Sequence, residues 1–243
     1  MTTAAAEKFE TYTAGSNFTN GQALGAAGAN WAFAWRTANS HSTGTGTVAA
    51  TNPLESGQRL NVTLVTQANK SASHGAVGRP YTLTSTVSGF YGYAFTLRPD
   101  TAPANLRYQI YETRTRAAGP DGSTTWQIAS VNDTWQVFDG SVNGGANAYI
   151  DTGMAVIAGT AYDFIVSLDP VARTWAVAIA DDTNVVVETG LNCRYTNFAT
   201  DTTEGIGGRW INFGAQETYT GSATVGVTGT YSLDGILIVM PEP

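Results

Sequence analysis

Hydrophobic and polar positions alternate along much of this chain, and the clearest case spans residues 161–182, AYDFIVSLDPVARTWAVAIADD. Tyr162, Phe164, Val166 and Leu168 share one face of the first run, and Trp175, Val177 and Ile179 share one face of the second. Period-two alternation on both sides of the turn Asp169-Pro170-Val171-Ala172-Arg173 predicts an antiparallel hairpin with one buried face. The opposite face carries Asp163, Ser167, Thr174, Ala176 and Ala178, side chains light enough to meet solvent or a shallow groove.

The same period recurs elsewhere. A short strand is expected around Phe9, then a Gly/Asn-rich loop, then a strand with Trp31, Phe33 and Trp35 on one face. Residues 37–57, with His41, and 68–79, with His74, read as polar loops on either side of a strand bearing Leu60, Val62 and Leu64. Further strands are expected at 81–90, 91–98 and 106–115, then at WQIASV and TWQVF after a turn at AGPDG, 118–122. AYIDTGMAV and TNVVVETG flank the hairpin, and RWINFG (209–214), SATVGVTG and YSLDGILIV (231–239) close the chain after an irregular stretch at 191–208. About thirteen strands and no helix, with turn signals every 8–12 residues, predict a single-domain all-β sandwich.

Composition narrows the partners. Charged residues make up 13% of the 243 residues, against a hydrophobic share of 42%, so the polar surface is mostly Thr, Ser, Asn and Gly. The net charge is −7 and no basic run exists, which argues against nucleic acid, whose phosphates need clustered Lys and Arg. Cys193 is the single cysteine, so no disulfide can form within the chain. No apolar run reaches the roughly 18 residues of a membrane span. The opening MTTAAAEKF lacks the apolar centre of a signal peptide, so residues 1–8 are read as an added start or a leader remnant, outside a domain at 9–239.

The YDFIVSLDPVARTWAVAIADD hairpin, the N-terminal FETYTAGSNFTNGQ and the closing SLDGILIVMPEP together resemble the concanavalin A-like, laminin-G-like (LamG-like) jelly roll. That fold, a two-sheet antiparallel sandwich, serves lectins, carbohydrate-binding modules and polysaccharide-degrading enzymes. Residues 240–243, MPEP, resemble the start of a PEP-CTERM sorting signal, whose membrane helix and basic tail are missing from the sequence. The resemblance implies a bacterial protein exported to the cell surface or beyond. It also implies a structural calcium ion, held in many such modules by a Glu of an N-terminal "FE" and an Asp of the last strand. Here those positions are Glu10, after Phe9, and Asp234, with backbone carbonyls from residues 13–17, TAGSN. A hard cation favours such an oxygen set.

Sugar recognition needs aromatic rings and planar polar groups on a solvent-side face. With Leu106, Tyr108 and Ile110 taken as core, alternation turns Arg107, Gln109 and Tyr111 outward. With Ile211 and Phe213 as core, Trp210 and Asn212 turn outward too. These five are the candidate glycan-binding residues, and whether their strands are neighbours is not readable from the sequence. Catalysis has less to stand on. The ExDxxE strand of jelly-roll glucanases is absent, Glu112 has no carboxylate two residues away, and Asp133 and Asp139 are too widely spaced for one catalytic edge. A lyase would need His41 or His74 to converge with Tyr111, Arg107 and Gln109. The reading is therefore a surface or matrix module that binds polysaccharide. A polysaccharide hydrolase or lyase, or a structural protein-interaction domain, on the same fold are the alternatives.

Overall fold

The computed structural model of the protein describes residues 1–19, 22–25, 30–35, 43–54, 57–66, 74–83, 90–114, 119–120, 123–194, 207–218 and 226–241. Within them run β1 (Thr2–Glu7), β2 (Asn17–Thr19), β3 (Ala23–Leu24), β4 (Trp31–Trp35), β5 (Thr43–Ala49), β6 (Arg59–Val65), β7 (His74–Leu83) and β8 (Tyr91–Pro99). They are followed by β9 (Leu106–Thr113), β10 (Thr124–Val131), β11 (Thr134–Asp139), β12 (Ala148–Ala155), β13 (Tyr162–Asp169), β14 (Thr174–Ala180), β15 (Val185–Asn192), β16 (Gly207–Glu217) and β17 (Thr228–Met240). The one helical turn among the described residues is a 3-10 turn at Val142–Gly144.

Two antiparallel sheets form the sandwich. One has the order β15-β14-β13-β8-β17-β6-β5-β2, with β1 also paired to β17; the other runs β12-β11-β10-β9-β16-β7-β4-β3. The hairpin pairs Phe164 with Ile179, Val166 with Val177 and Leu168 with Trp175, and all seven apolar side chains of its inward face are buried. In the turn, Asp169 Oδ1 accepts from the amides of Val171 and Ala172. Between the sheets lies one core, where Phe95 stacks on Phe164 and meets Phe213 edge to face. Burying each such side chain contributes about 1.5–3 kcal/mol.

Several segments depart from the sequence expectation; Phe9, expected on a strand, sits in a bend with φ 61°. Residues 2–7, expected outside the domain, form β1, because β17 offers a free ladder edge beyond Leu233, where its pairing with β6 ends. Thr43–Ala49, expected as loop, is β5: its inward positions include glycine, and a Cβ on Gly46 would fall 2.3 Å from the Phe18 ring. His74–Leu83 is a single strand, although its first half was expected as loop. Gly75, Ala76 and Gly78 leave it with little hydrophobic signal, while backbone ladders to β16 on one side and β4 on the other hold it. Of SATVGVTG (222–229), Thr228 and Gly229 open β17, and residues 222–225 lie outside the described residues.

A fully buried ion pair crosses the core. Arg209 Nε lies 3.3 Å from Glu112 Oε1, and the Tyr81 hydroxyl donates to the same oxygen. Charges taken from water are tolerated only when paired and hydrogen-bonded. Cys193, buried beside this pair, has its thiol pushed up to about 12, by burial first and by Glu112 second.

Candidate functional site

The structure pairs β9 directly with β16, so the five candidate residues share the outer face of the eight-stranded sheet. Tyr111 stands opposite Asn212, and Trp210 opposite Thr113. Extending the register gives a row of Gly78, Asn212, Tyr111 and Gln127 across β7, β16, β9 and β10. On β11 and β12 Phe138 and Tyr149 pair with each other, and Gln127 Nε2 donates to the Tyr149 hydroxyl. A second row holds Ala76, Gly214, Gln109, Ala129, Gln136 and Asp151. His74, Gln216 and Arg107 make a third. Alternation is the cause: the core takes Tyr108, Ile110, Glu112, Ile211 and Phe213, and every intervening side chain is turned away from it.

Turned away from the core does not mean exposed. Tyr111 and Asn212 are 0% exposed and Gln109 is 2% exposed, whereas Arg107 and Trp210 are half-buried. The expectation of open side chains is corrected for those three. The β9–β10 connection brings Gly119 onto this face. It leaves beside Thr113 and returns at Thr124, which pair with each other, yet its Gly119 lies against the His74 imidazole in the row of Arg107. Thr113 and Arg107 are six residues apart, about 20 Å along a strand. Gly119 is therefore placed far along the sheet from the Thr113–Thr124 pair, where a simple turn at AGPDG was expected.

The polar groups of this face are tied together. Asn212 Nδ2 donates to Thr113 Oγ1 at 2.9 Å and Gln109 Nε2 to Gln216 Oε1 at 2.8 Å. Arg107 Nε donates to that same Gln216 oxygen, and its guanidinium lies 5.7 Å from the Tyr149 ring centroid. Tyr149 in turn meets Phe138 edge to face, and Arg194 covers Phe138 at 4.3 Å. Burial raises the Tyr149 hydroxyl's pKa, against the pull of Arg107 and Arg194. Gln127 Oε1 and Asn212 Oδ1 are buried without a hydrogen-bond partner among the described residues. Gln127, Gln136, Phe138, Tyr149, Arg194 and Gln216 join this face without having been singled out in the sequence. The outward alternation of β10 and β11 carried that signal, but only with the strand order known.

With His74 the lyase constellation does not close. Tyr111 and His74 share the face but stand two strands and four residues apart, about 16 Å between backbones, too far to share a proton. His41 lies outside the described residues. Glu112 points into the core. Burial alone would raise the Asp139 pKa, but hydrogen bonds from Ala146 N and from Asn192 N and Nδ2 hold it below the ordinary carboxylate value.

The calcium candidates approach the same end of β6 with other partners already in place. Glu10 Oε1 accepts from Gln58 N, and Gln58 Nε2 donates to the carbonyls of Phe9 and Tyr12. Asp234, buried, accepts from Gly235 N and lies close enough to Arg59 to act on its charge. Thr13 O and Ser16 O accept from Ser16 N and Val48 N. Among the described residues no group of three or more His, Cys, Asp or Glu is placed to hold a metal. The nearest acid at this end, Glu7, instead accepts from Phe9 N, the Tyr12 hydroxyl and Trp31 Nε1.

No family model matches this chain, and no curated protein matches it. Solved structures resemble it in fold. A seed lectin of Lotus tetragonolobus covers 94% of this chain and 100% of its own at 7% identity and a TM-score of 0.48. The cellulose-induced protein Cip1 covers 86% and 90% at 16% identity and a TM-score of 0.47. An alginate lyase of polysaccharide lyase family 7, A1-II', covers 74% and 79% at 10% identity and a TM-score of 0.40. Jelly-roll sandwiches with lectin and lyase names thus both lie in the neighbourhood, at similarities that say nothing of ligand or reaction.

Proposed function

We propose that the protein is a carbohydrate-binding jelly roll that uses the outer face of its eight-stranded sheet. One observation carries this reading: rings and planar amides stand together there, with Asn212, Tyr111 and Gln127 in register and Phe138 and Tyr149 beside them. Aromatic faces suit sugar C–H surfaces, and amides suit hydroxyls. The accessible part is the rim of Trp210, Arg107, Tyr149 and Arg194, all half-buried. Export to a bacterial cell surface belongs to the same proposal, as does a role in holding polysaccharide there.

The test is native electrophoresis through gels that contain plant, algal and bacterial polysaccharides, followed by staining of the polymer. The reading expects a retarded band over intact polymer, with retardation reduced in Tyr149→Ala. A cleared zone would make the protein a polysaccharide-degrading enzyme, and free migration in every gel would end the binding proposal.

The calcium ion expected at Glu10 and Asp234 is not part of this reading. An ion joining them would have to displace Gln58 from Glu10 and compete with Arg59 for Asp234. Melting with and without a chelator decides it.

A further inference from the structure

We infer that the cavity where β9 begins and β10 ends is a separate binding site, one that holds a single neutral sugar ring beside the outer face. It encloses about 400 Å³, within the range of small-molecule sites. Pro103 of the β8–β9 connection, Leu106 and Arg107 of β9, Asn132 and Asp133 of the β10–β11 turn, and Val156 form its walls. Backbone hydrogen bonds fix these walls before any ligand arrives. Leu106 N donates to Pro103 O at 3.1 Å, Thr218 N to Asn105 O at 2.9 Å and Val156 N to Asp133 O at 2.8 Å. A site held in this way is preformed, so binding needs little ordering of the chain.

The chemistry of the lining points to hydroxyls. Val131 pairs with Thr134, so Asn132 and Asp133 make a two-residue hairpin turn, with φ 50° and 63°. Glycine is favoured at the second position of such a turn, yet a carboxylate stands there. The Asp133 carboxylate and the Asn132 amide have no hydrogen-bond partner among the described residues, so the turn itself makes no use of them. Arg107 donates its Nε to Gln216 and makes no ion pair with Asp133, although both line the cavity. Ser130 Oγ, also in the lining, accepts from Tyr108 N and keeps its own proton to donate. One carboxylate and one guanidinium leave the lining without net charge, which suits a neutral ligand. A carboxylate accepts from two adjacent hydroxyls, while amide and guanidinium N–H groups donate to hydroxyl or ring oxygens. Pro103, Leu106, Val131 and Val156 offer apolar walls to the C–H surface of the ring.

The probes are the methyl glycosides of glucose, galactose and mannose, titrated into the whole chain and followed by saturation-transfer NMR. At least one is expected to bind with a Kd on the order of 1 mM. Asp133→Gly removes the carboxylate and gives the turn its favoured residue. It should weaken binding at least about tenfold while the melting temperature holds or rises. Asp133→Asn, which also tolerates the turn, should weaken binding too. Unchanged binding in both variants overturns the inference, and so does a panel in which no sugar binds. A fall of binding and melting temperature together in Asp133→Gly would mean that the carboxylate holds the turn and not a ligand, which overturns it as well. Loss in Tyr149→Ala, with binding kept in Asp133→Gly, would put the sugar on the outer face. That result overturns this inference and leaves the polysaccharide reading standing.

Discussion

The two outer faces of this sandwich are built by the same alternation and differ in every other respect. Across the nine-stranded sheet an in-register row runs Val187, Ala178, Ile165, Ala94 and Leu237. Ile165 is 60% exposed and Val187 61%. Across the eight-stranded sheet the corresponding positions are rings, amides and arginines, and the central ones are closed to solvent. The apolar face is open and the polar face is covered. Polarity alone therefore does not tell which face of a strand meets water.

The largest expected break in this comparison is Tyr111→Ala. Removing a fully buried ring packed on Ala76 should cost about 3–5 kcal/mol in urea unfolding, while Ile165→Ala should stay within about 0.5 kcal/mol. Equal costs would mean that both faces are covered. Alkali comes next. Burial holds the Cys193 thiol and the Tyr108 hydroxyl up to about 12, against ordinary values of 9.0 and 10.0. The native chain keeps protons that the unfolded chain gives up, so this contribution is complete below pH 9 and is lost as pH climbs from there towards 12. A melting temperature flat from pH 8 to about 11 would contradict that burial.

Smaller effects separate the faces by ligand. Tyr149→Ala should weaken polysaccharide retardation about tenfold and Val187→Ser should leave it unchanged. If the two variants behave alike, the ligand does not choose between the faces. The smallest expectation is none at all. Chelation should leave the melting temperature unchanged, since Gln58 and Arg59 already engage Glu10 and Asp234; a fall of several degrees would restore the calcium clamp.

Much of the fold was legible because period-two alternation is a local property. The 161–182 hairpin and the strands bearing Leu60, Val62 and Leu64, or Tyr108 and Ile110, carry their own inward faces. β5 and β7 were not legible, since their Thr, Gly and Ala residues are chosen by neighbours such as Phe18 and not by their own hydrophobicity. The candidate face was half legible. Outward orientation of Arg107, Gln109, Tyr111, Trp210 and Asn212 follows from the alternation, but the adjacency of β9 and β16 is a long-range fact. So is the approach of Gly119 to His74. Tyr149 and Arg194 could enter only once β12 and the residues after β15 had been placed beside that face.

The pairing of β1 with β17 sets Thr2 directly across from Met240. Paired backbones in an antiparallel ladder lie about 5 Å apart, so both ends of the domain emerge at one point. Tension applied between those ends would peel β1 from β17 one rung after another, starting at Thr2, instead of shearing the whole ladder at once. A tether at one end alone would carry no tension through the sandwich. A linker of a few residues should also close the chain into a circle, reopened at the exposed turn of Ala158 and Gly159, with both sheets intact.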